Sequence, residues 1–289
     1  MQRKLSTFDV INYIITGLIG VFCLYPILYV IFASFSDPAK LMAFDGFLLW
    51  PLDFTTGAYA EVLKNTTIMG SFKNTFIVLV IGLALNMVLT IMAAYFFSRK
   101  DIMLQKPLFL VVLVTMFING GLIPTYLTVC GLGIDDTLWA LILPTAVTTY
   151  NLIVLRTGFL AVPESLIESA RIDGANDFTI LFKIVVPLTK ASIAVIFLYY
   201  AVSHWNSWFQ ASIYLRDKSL YPLQLVLRQI LLANETSSMM SGADVGDYES
   251  FSETIKYAVI CVSTLPILLI YPYLQKYFAS GVMVGAVKG

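Results

Sequence analysis

From Tyr13 onward the chain is a succession of long apolar runs separated by polar segments. A membrane-crossing helix needs about 20 predominantly apolar residues. Six runs meet that length: Tyr13–Phe35, Thr75–Ser98, Pro107–Val129, Thr137–Phe159, Leu188–Phe209 and Ile255–Phe278. The pattern predicts an all-α integral membrane protein of six spans, read as one domain over 1–289. It would have a short N-terminal segment 1–12, a six-span core 13–278 and a tail 279–289. Pro26, Gly82, Gly120, Gly121, Pro124, Pro144 and Pro266 interrupt the runs, and spans tolerate this because neighbouring helices satisfy the freed backbone groups. In the third run, Gly120-Gly121-x-x-Pro124 reads either as a break that lines a cavity or as a packing kink. The first run follows Arg3 and Lys4 as a secretion signal would. It is longer than the roughly 7–15 apolar residues of such a signal and no small-x-small site follows, so it is expected to be retained.

Composition agrees with the pattern. The 289 residues are 58% hydrophobic and 12% charged, against about a quarter charged in soluble domains, and mean hydropathy is +0.82. A net charge of zero points to no nucleic acid. Cys23, Cys130 and Cys261 have neither metal-site nor disulfide spacing. Lys and Arg favour the inner side: with the N-terminus inside, eleven of the 18 fall on inner segments. Both termini are therefore expected in the cytoplasm. Two longer loops then lie outside. Ser36–Asn74 carries Trp50, Phe54 and Tyr59, which suit a short packed cap. Gln210–Thr254 contains a polar stretch, Asn234–Ser250, that reads as mobile.

A third long loop, 160–187, lies inside and is polar in a chain that is otherwise apolar. Its first part, VPESLIESARIDGA, reads as a helix. Pro163 suits a first-turn position, Glu164 and Glu168 sit where the helix dipole favours acids, and Gly174 suits a left-handed C-terminal cap. Leu166, Ile167, Ala170 and Ile172 make one apolar face. Such a helix can lie flat on the inner leaflet. Against that, its centre is built of small residues, Ser169, Ala170 and Ala175, and it lacks a Lys-rich polar face.

The spacing Glu168-Ser169-Ala170, three residues, Gly174, nine residues, Ile184, one residue, Val186-Pro187 resembles the EAA loop of the membrane subunits of ATP-binding cassette (ABC) importers, EAA-x3-G-x9-I-x-LP. Ser169 and Val186 are its mild departures. The segments NGGLIPTY (119–126), HWNSWFQASIYL (204–215), YPLQLVLRQIL (221–231) and the terminal GAVKG (285–289) extend the likeness. They are similar to carbohydrate-uptake permeases, specifically to the second, MalG-like subunit of the LplC/YtcP-like branch. The resemblance implies a MetI/MalG-like fold, with the loop forming a cytoplasmic coupling helix. Glu168, Ser169, Ala170, Asp173, Gly174, Ile184 and Pro187 would dock it on an ATPase. It also implies a heterodimer with a second homologous permease, two copies of a cytoplasmic ABC ATPase, an extracytoplasmic sugar-binding protein and a bacterial cytoplasmic membrane. The tail would offer a second ATPase contact.

The residues themselves add to this. The chain has no G-x-x-x-x-G-K-[ST] phosphate loop, so no cofactor is expected on it, and ATP with Mg would sit on the partner. The spans hold no Asp or Glu in their interiors, which removes a buried carboxylate proton relay, and the sole histidine and scattered cysteines offer no catalytic constellation. The chain is thus expected to be non-catalytic. Neutral polar groups and aromatic rings suit a sugar. Candidates along a substrate path are Asn119, Tyr150, Asn151, His204, Trp205, Asn206, Trp208 and Gln210, with Asn86 a further neutral polar group. His204 and Trp208 would share one helical face, and Asn206 and Gln210 another. The competing reading makes the asparagines and His204 interhelical bonds and the tryptophans an interfacial belt. The coupling loop is common to importers of many solutes, so a non-sugar solute such as a peptide remains the alternative cargo.

Overall fold

The computed structural model describes residues 7–240, 254–269 and 272. The tail 279–289 and most of the end of the sixth expected run lie outside the described residues. In chain order the helices are α1 (Thr7–Ser34), α2 (Pro38–Met42), α3 (Gly57–Lys64), α4 (Thr66–Ser98), α5 (Gln105–Phe117), α6 (Leu122–Gly131) and α7 (Trp139–Ile142). There follow α8 (Thr149–Leu160), α9 (Glu164–Ile172), α10 (Asp177–Ile180), α11 (Val186–Leu188), α12 (Lys190–Trp205), α13 (Trp208–Tyr214) and α14 (Leu223–Met240). The last is α15 (Thr254–Leu269).

Two of these, α1 and α4, are unbroken and apolar enough to cross a membrane, with hydropathies of 2.3 and 2.6. Three further runs are bent pairs rather than the straight helices the apolar pattern predicts. Gln105–Phe117 meets Leu122–Gly131 at 115°, Trp139–Thr145 meets Thr149–Leu160 at 50°, and Asp177–Leu188 meets Lys190–Trp205 at 87°. Apolar periodicity cannot register such bends, because lipid accepts an apolar side chain at any angle. In the third run the Gly-Gly-x-x-Pro segment is a true break. Gly121 takes φ +85°, a left-handed conformation open to glycine, and Pro124 cannot supply an amide.

The described residues group into two compact units. The first holds α1–α3, the opening residues of α4 and the described part of 227–265. Its core is Ala33, Leu41 and Leu48, flanked by Tyr29, Phe32, Leu52 and Tyr257. The aromatic packing expected of the loop 36–74 is present around Phe54 and Tyr59: the Phe35 ring stacks on Phe54 at 5.3 Å and Tyr59 at 4.8 Å, and the Tyr59 hydroxyl bonds Ser34 Oγ at 2.7 Å. None of the apolar window of α1 is buried, which suits a helix whose neighbour is hydrocarbon.

The second unit, over 70–226 with the described part of 266–289, is strung along α4. Near its start, Val78 packs with Val129, Ala140–Ile142, Ala211, Tyr214 and Leu225. Near its end, Ala94, Tyr95 and Phe97 pack with Leu152, Leu155 and Phe159 of α8, Ile167 of α9, Ile180, Leu181 and Val185, and Ile196 and Tyr200 of α12. Helices α8 and α12 approach closely where Gly158 meets Ser192: a Cβ on Gly158 would lie 2.5 Å from Ser192 Oγ, the small-residue contact that membrane helices use to pack.

Two expectations need correction. The polar stretch from Asn234, read as mobile, is helical as far as Met240, because α14 starts behind Pro222 and meets no Gly or Pro before Gly242; 241–253 lie outside the described residues. The fifth run does not continue as one helix to Phe209. It stops at Trp205, and Asn206 and Ser207 carry it into α13.

Asp136 holds the turn before α7 to the segment after α13. Its Oδ1 accepts the amides of Arg216 at 2.7 Å and Asp217 at 2.9 Å. Those bonds hold its carboxyl below the ordinary carboxylate value. A folded value below the unfolded one, about 3.9, contributes stability above that pH and loses it as pH falls through the folded value. Hydrogen exchange should therefore show protection of the Arg216 and Asp217 amides at neutral pH that fades as the pH falls below the unfolded carboxylate value of about 3.9. Asp136→Asn keeps an acceptor and tolerates the left-handed φ of 54°, so it should retain much of the protection and lose its pH dependence.

Candidate functional site

The polar helix of the loop 160–187 is α9. Pro163 has extended ψ of 129° and stands at the N-cap, one position ahead of the expected first turn. The helix ends as its sequence predicts. Gly174 takes φ +80°, its amide reaches the Arg171 carbonyl at 3.0 Å and the Ala175 amide reaches the Ala170 carbonyl at 2.9 Å. This is a Schellman cap, and its left-handed position suits glycine. Beyond it Asn176 caps α10 through Oδ1 to the Thr179 amide at 2.8 Å. The chain then passes through a π-helical turn, Leu181–Val185, to Pro187 in α11 and the sharp bend into α12.

One side chain of α9, Ile167, is buried at 2% exposure, seated in the core of α4, α8 and α12 with Ala170 packed beside it. The other predicted apolar residues are not buried: Leu166 is 45% and Ile172 86% exposed. Glu168, Ser169, Asp173 and Gly174 are also exposed, Ile184 is half-buried, and Pro187 is exposed. The helix thus hangs from one isoleucine and shows its remaining surface outward.

Charges fix its orientation. Arg171, near its C-terminus, pairs with Asp101 at 2.8 Å and Asp177 at 3.4 Å, and Glu164, at its start, pairs with Lys100 at 3.3 Å. Both ends of α9 are therefore tied to the turn that follows α4. The Tyr95 hydroxyl donates to Asp177 Oδ1 at 3.1 Å, and Met92, Tyr95, Asp177, Phe178 and Leu181 line a cleft of about 110 Å³ there. Partial burial pulls the Arg171 guanidinium down, but the bonds and charges of Asp101 and Asp177 outweigh it and hold it above its ordinary value. The end of α4 is capped in turn: the Phe97 carbonyl accepts from Arg156 Nε at 2.7 Å and Gln105 Nε2 at 2.5 Å, and the Arg156 guanidinium lies 4.0 Å from the Phe109 ring centre. Sequence reading named none of Tyr95, Lys100, Asp101, Gln105, Arg156 or Asp177 as site residues. The one signal available was the cluster of charges of both signs in Arg99-Lys100-Asp101, and its partners lie more than sixty residues away.

The substrate-path candidates do not gather in one place. Asn119 is exposed at the α5–α6 break, its Oδ1 accepting the Gly121 amide at 2.9 Å. Tyr150 is exposed at the start of α8, its ring 6.1 Å from Tyr199. Asn151 is buried. His204 is buried against Asn86, Nε2 to Oδ1 at 2.6 Å. Trp205 is buried with its ring 6.0 Å from Phe76. Asn206 is exposed and donates back to the Val202 carbonyl at 3.0 Å, while Trp208 and Gln210 are half-buried. The break at Asn206–Ser207 removes the continuous helix on which His204 and Trp208, or Asn206 and Gln210, would share a face. Among the described residues no group of three or more His, Cys, Asp or Glu is placed to hold a metal ion.

Known proteins share this organisation. The model of the family described as binding-protein-dependent transport system inner membrane component matches residues 88–284. The chain is 43% identical to the polygalacturonan/rhamnogalacturonan transport system permease protein YtcP of Bacillus subtilis strain 168, over 100% of both chains. It is 39% identical to Protein LplC of the same strain, over 98% of this chain and 95% of that one. Among solved structures it is similar to the crystal structure of a bacterial ABC transporter involved in the import of the acidic polysaccharide alginate. That match has a TM-score of 0.86 and 30% identity, over 96% of this chain and 100% of the other.

Exposed ion pairs contribute roughly 0–1 kcal/mol, so the ties of α9 should orient it more than stabilise the fold. Arg171→Gln is expected to lower thermal stability by less than about 1 kcal/mol. A spin label at Ile172 should nevertheless become clearly more mobile.

Proposed function

The chain belongs to the binding-protein-dependent transport system inner membrane components, and from that premise we propose that it is a permease subunit of an ATP-driven importer of oligosaccharides. Its cargo would be delivered by an extracytoplasmic binding protein. The subunit crosses the bacterial cytoplasmic membrane six times with both termini inside. It pairs with a second, homologous permease and with two copies of a cytoplasmic ATPase. Those partners hold ATP and Mg, and this chain carries out no covalent chemistry. The polysaccharides in the names of YtcP and of the structural neighbour support a sugar cargo. Both are acidic chains, so oligouronates head the sugars to try.

The observation that carries the coupling role is the presentation of α9. A helix meant for the protein interior would bury its apolar face. This one buries Ile167 and leaves Leu166 and Ile172 outward beside Glu168, Ser169, Asp173 and Gly174. Leu166 and Ile172 offer apolar contact to an ATPase groove, the small residues let it come close, and Ile184 and Pro187 set the return into the membrane. Nucleotide binding closes the ATPases and displaces α9. Because Ile167 sits in one core with α4, α8 and α12, the displacement carries those helices as a body. The cavity then opens outward, receives sugar from the docked binding protein, and returns inward after hydrolysis, a shift between two states with different partners. Asn119, Tyr150, Asn206, Trp208 and Gln210, the path candidates left at least partly accessible, are the residues proposed to meet the sugar. Asn151, His204 and Trp205 act from behind them.

The test is ATP hydrolysis by the reconstituted complex, with and without sugar-loaded binding protein. Wild type should be stimulated by the cognate oligosaccharide. The double variant Glu168→Lys, Gly174→Asp reverses one charge and crowds the left-handed cap. It should assemble and lose stimulation by about tenfold or more, the scale on which misplaced functional geometry is felt. Normal stimulation of the variant would assign α9 to the membrane surface instead.

A further inference from the structure

Of the three bends in the second unit, two hold polar contacts of their own making. At α5–α6 Asn119 bonds Gly121, and at α11–α12 Thr189 Oγ1 donates to the Val185 carbonyl at 2.7 Å. The bend between α7 and α8 is different, because its freed backbone groups are met by side chains of two other helices. Asn86 Nδ2 of α4 donates to the Thr145 carbonyl at 2.6 Å and the Ala146 carbonyl at 2.9 Å. The Tyr200 hydroxyl of α12 accepts the Thr148 amide at 3.0 Å.

These two side chains are themselves held. With its nitrogen committed to two carbonyls, Asn86 turns Oδ1 to His204 Nε2 at 2.6 Å. That ring nitrogen must therefore carry the hydrogen. The Tyr200 hydroxyl bonds Thr90 Oγ1 at 2.8 Å. Asn86 and Thr90 stand four apart on α4, and Tyr200 and His204 four apart on α12, so each pair shares one helical face. Gly82 continues the α4 face one turn earlier. A Cβ there would lie 2.6 Å from His204 Nε2, so the ring occupies the space a side chain would need. Asn86 and Thr90 are fully buried, and Tyr200 and His204 are 1% and 3% exposed. By helix rise this layer lies about 12 Å from Val78 and about 13 Å from Tyr95, between the two apolar cores of the unit. The core near the end of α4 is the one that seats α9, and Tyr200 belongs to both it and the polar layer.

We propose that Gly82, Asn86 and Thr90 of α4 with Tyr200 and His204 of α12 form a clamp that fixes the α7–α8 corner. A displacement of α9 then reaches the exposed Tyr150 edge without being absorbed at the break. The proposal rests on the coupling role assigned to α9. These are positioning residues: Asn86 and Tyr200 hold the backbone of the corner, and Gly82, Thr90 and His204 hold those two. A break in mid-membrane whose carbonyls had no fixed partner would be a hinge, and a hinge between the driven core and the cargo-facing edge would let hydrolysis proceed without transport.

The experiment uses the whole complex in proteoliposomes, with Cys23, Cys130 and Cys261 replaced and spin labels at exposed Leu143 and Leu160, either side of the corner. Two quantities are read: the label distance distribution with and without ATP, and cargo imported per ATP hydrolysed. In the parent the distance should be single, narrow and the same in both states. Tyr200→Phe, which removes one oxygen, and Gly82→Ala, which drives the His204 ring from Asn86, should broaden it. Both should cut import per ATP by about tenfold while hydrolysis without binding protein continues. His204→Gln, which offers an amide hydrogen in place of the ring hydrogen, should keep most of the coupling. Asn86→Leu should give the largest loss, and if it fails to assemble, the other two variants decide. An unchanged distance and unchanged import per ATP in both Tyr200→Phe and Gly82→Ala would overturn the clamp. A parent complex that loaded binding protein does not stimulate would overturn the coupling role instead, and the label distances would still report on the corner.

Discussion

A backbone amide or carbonyl freed in hydrocarbon costs several kcal/mol unless some partner reaches it, and the second unit is organised around that constraint. Among the described residues its helices bend sharply at three breaks, and a post that supplies several buried backbone groups with partners is α4. At one end Asn74 donates to the Ser219 and Tyr221 carbonyls, and Thr75 Oγ1 accepts the Leu223 amide at 2.8 Å. In the middle Asn86 serves the α7–α8 corner. At the far end the debt runs the other way, and Arg156 and Gln105 satisfy the Phe97 carbonyl of α4 itself. A polar residue in an otherwise apolar span thus marks the height at which a neighbour is broken.

The energetics explain why such residues persist. A hydrogen bond between membrane helices is worth on average about 0.6 kcal/mol, too little to favour asparagine over leucine in a continuous bundle. Removing one partner while the other stays buried costs about 1–3 kcal/mol. The asymmetry makes Asn86 worth keeping while Thr145 and Ala146 have open carbonyls, and gives those carbonyls a single geometry in which both are met.

How much of this the sequence discloses follows from the range of each interaction. The start and end of α9 are local: Pro163 precedes it, Gly174 ends it, and the cap geometry involves residues within five positions. The apolar runs are equally legible, since length and composition decide them. The bends are not, because the same apolar residues face lipid whether a helix is straight or turned by 115°. Asn86 and His204 stand out as polar residues in greasy runs, and interhelical bonding was one of two readings open for each. Their pairing with one another, 118 positions apart, carries no local signature. Arg171 likewise reads as an exposed cation of α9 until Asp101 is placed beside it. The helical stretch past Asn234 was hidden because polar composition argues for disorder, whereas the absence of Gly and Pro lets α14 run on.

The way α9 is held follows from opposing demands on it. A helix that transmits force must be stiffly joined to what it moves, yet one that docks on another protein must keep its surface free. Burying its whole apolar face would meet the first demand and defeat the second. Here a single well-packed side chain, Ile167, supplies the joint, and three exposed ion pairs fix the angle about it. Each pair is weak alone, but they act at both ends of a nine-residue helix. Rotation about the isoleucine would have to break a pair at one end or the other. Stiffness in orientation is obtained at little cost in surface, and the stability that backs it comes from the core of α4, α8 and α12, where Ile167 is one member among many.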